Sequence, residues 1–76
     1  MPHITVKLWP GRDEAVKTAL AEKIAQDVAE GLNVDIGDVS VAFEEVEKAD
    51  WGEQVYKKEI RDNMDNIYFK PSYKYN

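Results

Sequence analysis

The 76 residues predict an α/β fold: a βαβ unit with parallel strands, then a short C-terminal helix and a tail strand, assembled as an oligomer. Three observations carry this expectation. Residues 3–8 alternate apolar and polar side chains, residues 13–32 repeat apolar side chains at four-residue intervals, and residues 39–43 alternate again. Antiparallel neighbours need only a tight turn, whereas strand, long helix and strand form a crossover, so the strands run parallel and the unit is right-handed. A single domain over 1–76 is expected, with the βαβ core at 3–46 and the helix and tail at 50–76.

In HITVKL, Ile4, Val6 and Leu8 share one face, and His3, Thr5 and Lys7 the other, the pattern of a half-buried strand. Trp9-Pro10-Gly11-Arg12 ends it in a type II turn, where glycine supplies the positive φ. The helix runs from about Asp13, an N-cap, to Leu32, with Asn33 as its left-handed terminator. Val16, Leu20, Ile24, Val28 and Leu32, joined by Ala19, form its apolar stripe. After the loop NVDIGD, Val39, Val41 and Phe43 face one side of the second strand. Asp50-Trp51-Gly52-Glu53 has the spacing of a capping box, so a second helix is expected with Tyr56, Ile60 and Met64 on its apolar side. The tail IYFKPSYKYN is aromatic and β-prone, suited to pairing with a sheet edge, its own or a partner's.

A chain this short buries only about 60% of its unfolded surface. Without cysteines it has no disulfides and no thiolate metal site, and one histidine does not make a zinc site. Association is the remaining source of stability: a homodimer is expected, with a hexamer as the alternative. No stretch suits a bilayer span or a signal peptide, which makes a soluble cytoplasmic protein the expectation. The net charge of −5 argues against nucleic acid as a partner. The charge is unevenly spread: +2 over residues 1–12, −9 over 13–53 and +2 over 54–76. A small anion is therefore drawn to the first strand, its turn and the tail.

Pro2 follows the initiator methionine and is small enough for Met1 to be removed, which leaves a free secondary amine at the mouth of a strand. Such an amine titrates near 7.7–8.0 when exposed. Burial among Ile4, Phe43 and Trp51 beside an arginine lowers that value, giving a base suited to abstracting a proton next to a carbonyl. Met-Pro by itself is weak evidence, because proline at this position ordinarily affects only processing. Taken singly, Arg12 reads as a solvated turn residue, Trp51 as a core anchor and His3 as a surface or interface residue. Nothing supports a Schiff-base role for Lys7. Glu44-Glu45-Val46-Glu47 reads as a solvated loop edge, and Asp35 and Asp38 lack calcium-loop spacing.

Taken together, Pro2, HITVKL, WPGR, the amphipathic helix, VSVAFEEV and Trp51 resemble the 4-oxalocrotonate tautomerase family over nearly all of residues 2–51. The resemblance implies Pro2 as general base, Arg12 as the ligand of a substrate carboxylate and Trp51 lining an apolar pocket, with no cofactor and no metal; Phe43 is expected beside them as a further substrate-binding residue. The C-terminal extension is similar to the dimeric branch typified by the bacterial protein YdcE. The family's best-studied member carries a second arginine where this chain has Ser40. That departure favours a monocarboxylate, such as an enolised aryl 2-keto acid, unless Lys57, Lys58, Arg61 or Lys70 substitutes.

The expected activity is thus enol–keto 1,3-proton transfer in a small unsaturated or 2-keto carboxylic acid. Pro2 and Arg12 bracket a strand about 20 Å long, so Arg12 is expected to act in a neighbouring subunit's site. The alternatives are a hydratase or dehalogenase with Pro2 as acid, and a non-catalytic binding or assembly protein if Met1 stays on.

Overall fold

A computed structural model describes residues 1–75. Strands β1, His3–Leu8, and β2, Ser40–Glu45, pair in parallel, from His3 opposite Ser40 to Leu8 opposite Glu45. The ladder extends one step at each end, where the Ser40 N–H donates to the Pro2 carbonyl at 3.1 Å and the Val46 N–H to the Leu8 carbonyl at 2.8 Å. This register sorts the side chains. Ile4, Val6 and Leu8 share a face with Val41, Phe43 and Glu45, while His3, Thr5 and Lys7 share the other with Ser40, Ala42 and Glu44.

Helix α1, Glu14–Leu32, makes the crossover between them. Its ends are those expected: the Asp13 carboxylate accepts from the Val16 N–H at 2.9 Å, and Asn33 is left-handed with φ 54°. Lys17 pairs with Glu45, which places α1 over the Val6 and Phe43 face. A 3₁₀ turn at Ile36–Asp38, whose Asp35 accepts from the Gly37 N–H, leads into β2. The apolar stripe is only partly covered. Nineteen helical residues span about 28 Å and six strand residues about 20 Å. Ile24 and Val28 are half-buried, whereas Val16, Leu20 and Leu32 stay exposed.

Glu44 and Glu45, expected on a loop edge, instead end β2 and pair with Lys7 and Lys17. Beyond Val46 the chain departs further from expectation. Asp50 closes a 3₁₀ turn, Lys48–Asp50, and Trp51 is already helical at φ −57° and ψ −45°. An N-cap residue needs extended backbone, so Asp50 cannot cap and the capping box does not form. Glu53 pairs with Lys57 instead. The following helix, Gly52–Ile60, is π-wound, and a 3₁₀ segment, Arg61–Asn66, continues it past a kink at Asn63. Bonding from i to i+5 sets Val55 beside Ile60, so Val55 joins Tyr56 in the interior while Ile60 and Met64 are half-buried. The expected tail strand is absent among the described residues. Tyr73 and Tyr75 fold back onto Tyr56, at centroid separations of 5.6 and 5.3 Å.

Only Val46, Val55 and Tyr56 are buried apolar residues among those described. The chain exposes 5986 Å², against about 4,700 Å² for a folded monomer of its mass. Its radius of gyration is 14.0 Å, against about 11 Å for a globule of this length. The excess surface is of the order that one partner buries in a specific interface, about 800 Å² or more.

Candidate active site

The two ends of the parallel pair carry different groups. At the N-terminal end, Pro2 is half-buried and held by its carbonyl. Ser40 lies beside it and shares a 2.6 Å hydrogen bond with His3 Nδ1, while His3 Nε2 lies 3.3 Å from the Thr5 hydroxyl.

At the other end, β1 runs out at Leu8 and the chain reverses through Trp9-Pro10-Gly11. Gly11 adopts φ +129°, which side-chain-bearing residues rarely reach, so the reversal that delivers Arg12 depends on glycine. Arg12 there lines a cavity of about 500 Å³ together with Lys7, Leu8, Trp9, Trp51, Tyr73, Lys74 and Tyr75. Trp9 and Trp51 meet edge to face at 6.5 Å, and Lys48 Nζ sits 4.9 Å over the Trp9 ring. The Trp51 indole N–H donates to the Tyr73 hydroxyl at 3.1 Å, fixing the tail as one wall. Gly52 permits this closure: a Cβ there would lie 3.1 Å from the Tyr75 ring.

Among the described residues the lining carries three cations and no carboxylate. Lys7 is matched by Glu59 and Glu44, and its hydrogen bond to Glu59 raises its pKa above the usual lysine value. Arg12 and Lys74 make no ion pair among the described residues. A chain of net charge −5 thus concentrates positive charge on apolar, aromatic walls, an arrangement suited to a small organic anion.

Of the four residues expected at the site, one chain brings together Arg12 and Trp51. Pro2 lies about 20 Å away at the far end of β1. Phe43, opposite Val6 in mid-sheet, does not line the cavity, and Trp51 contacts Trp9 and Tyr73 rather than flanking Pro2. The suggested substitute cations do not reach the cavity either. Lys57 is paired with Glu53 and Arg61 with Asp62, Lys70 donates to the Met64 and Ile67 carbonyls, and Lys58 is outside the lining. Trp9, Tyr73 and Lys74 are among the lining residues that sequence reasoning missed. Their signal was the basic charge of the first twelve residues and of the tail, which meet here.

A family model described as tautomerase enzyme matches residues 2–60. A probable tautomerase of Xylella fastidiosa is 38% identical over 73 residues, covering 96% of this chain and 89% of that one. Tautomerase PptA of an Enterobacter species is 40% identical over 75 residues, covering 96% and 97%. The 2-hydroxymuconate tautomerase of Pseudomonas putida is 36% identical over 52 residues, covering 68% and 82%. The chain belongs to the tautomerase family and is an isomerase.

Proposed function

We propose that the protein catalyses cofactor-free 1,3-proton transfer in a small unsaturated or 2-keto carboxylic acid, in a site shared between subunits of a homo-oligomer. The observation that carries this reading is the basic, aromatic-walled cavity, which holds Arg12 and Trp51 in a chain whose family match begins at Pro2. Once Met1 is removed, the Pro2 nitrogen is a secondary amine with a basic lone pair. Delivered by a neighbouring subunit to this cavity, it takes the enol proton and returns a proton to carbon, so no net proton is gained or lost. Arg12 holds the carboxylate and stabilises charge developing on the enolate oxygen. The indoles of Trp9 and Trp51 exclude water, and the guanidinium nearby disfavours the ammonium form of Pro2.

Oligomerisation is supported by the excess surface and by the exposed Val16, Leu20 and Leu32. Coverage of the C-terminal extension by the Xylella and Enterobacter relatives supports the dimeric, YdcE-like branch. Hydration or dehalogenation usually needs a carboxylate to activate water, and none lines this cavity among the described residues.

The test combines intact mass with ketonisation of phenylenolpyruvate. The native protein should lack Met1, and Pro2→Ala should lower kcat by about 10²–10⁴, the scale of one general base. Quantitative retention of Met1 in an inert protein contradicts the reading and leaves a binding or assembly role.

A further inference from the structure

The polar face of the sheet, opposite α1, is tied together along its length. At the end of β1, Lys7 pairs with Glu44 across the ladder and with Glu59 of the C-terminal helix. At the start, His3 shares its 2.6 Å hydrogen bond with Ser40 across the ladder, and its second ring nitrogen lies 3.3 Å from the Thr5 hydroxyl. The Lys7 contacts neutralise a charge. The His3 contacts have a different setting, because they adjoin Pro2.

Ser40 holds the beginning of the chain twice. Its N–H donates to the Pro2 carbonyl at 3.1 Å, and its hydroxyl is joined to the His3 ring. Both contacts secure the peptide that links Pro2 to the sheet. Chain ends fray unless they are tied down, and removal of Met1 makes Pro2 the end. The pyrrolidine ring fixes the proline nitrogen relative to its Cα, and the peptide beyond it is planar. With that peptide pinned, a single torsion about the Pro2 Cα–C bond sets where the amine points. Released, the peptide adds the torsions of His3 and the nitrogen loses its place.

We infer that His3 and Ser40 are positioning residues for the Pro2 amine, their side-chain hydrogen bond clamping the first peptide to β2. The clamp deepens the functional reading above and rests on Pro2 being the base. Substrate is gripped elsewhere, by Arg12 and the indoles about 20 Å along β1 in the neighbouring subunit. Aim and grip are therefore separable. Losing the clamp lowers kcat and leaves KM alone, because a misplacement of about 1 Å at the reacting atoms costs up to about 10²-fold in rate.

Ketonisation kinetics and backbone NMR on the full chain test this together. His3→Ala and Ser40→Ala should each lower kcat about tenfold with KM unchanged. The double variant should lose no more than either single one, because the two side chains share one hydrogen bond. His3→Asn, whose amide reaches as far as Nδ1, and Ser40→Thr, which keeps the hydroxyl, should restore most of the rate. Both side chains are exposed, so melting temperature and oligomer mass should stay native. The heteronuclear NOE of the His3 amide should be high in the native protein, fall in Ser40→Ala and recover in Ser40→Thr. A His3 amide equally ordered without the Ser40 hydroxyl, additive losses in the double variant, or a rise in KM in place of the fall in kcat overturns the clamp. Failure of the catalytic reading looks different: His3 order still follows the Ser40 hydroxyl, while Pro2→Ala leaves ketonisation unchanged.

Discussion

The βαβ unit and the segment after Val46 are held together in different ways. The first is built from local rules, with alternation in two strands, a four-residue apolar repeat in α1 and caps at Asp13 and Asn33. The second has no repeating pattern. It winds as a π helix between two 3₁₀ turns and is fixed by a tyrosine cluster and one indole–phenol hydrogen bond. Two of the three buried apolar residues among those described, Val55 and Tyr56, lie in that second segment. The regular half thus presents Pro2 and Arg12 at opposite ends of a strand, and the irregular half turns the Arg12 end into a cavity.

The sharpest break in this division is Tyr56→Ala. Removing a buried aromatic costs about 3–5 kcal/mol, and here it also unseats Tyr73 and Tyr75. Denaturant unfolding should show the loss, while carboxylate binding at the cavity weakens with the tail wall. Asp13→Ala acts on the regular half and on less. Loss of the cap at Val16 should lower stability by about 1 kcal/mol, read from the denaturant midpoint. Acidification should separate the halves more gently. Lys57 holds the Glu53 carboxylate below its usual value, and Arg61 does the same for Asp62. Both lie in the second segment. Depressed carboxylates contribute stability above their unfolded values, and that contribution fades as pH falls below about 4.5. Tryptophan fluorescence, which reports Trp9 and Trp51 where they meet beside the tail wall, should therefore change at higher pH than the far-ultraviolet circular dichroism, to which α1 is the largest helical contributor.

How much could be read in advance follows the same division. Ile4, Val6, Leu8, the glycine of the turn and the Asn33 terminator were all legible, because each is decided by neighbours within a few residues. The capping box at Asp50 failed because the preceding 3₁₀ turn feeds directly into helix and leaves no extended residue to cap. Val55 was missed because its burial depends on i to i+5 winding, which has no counterpart in a four-residue repeat. The tail's place is set by ring packing with Tyr56 and Trp51, contacts 17 to 22 positions away that alternation in IYFKPSYKYN cannot reveal. Of the site, Arg12 and Trp51 were legible together, while Tyr73 and Lys74 were visible only as a basic tail.

The central claim is that Pro2 of one subunit works on a substrate held by Arg12 of another, and mixed oligomers test it directly. Pro2→Ala and Arg12→Ala chains, each inactive alone, are refolded together at equal ratio and the mixed assemblies confirmed by native mass spectrometry. Random mixing leaves about a quarter of the sites with an intact proline from one chain and an intact arginine from the other. Ketonisation should recover to about a quarter of the native rate. No recovery in verified mixed oligomers contradicts the shared site.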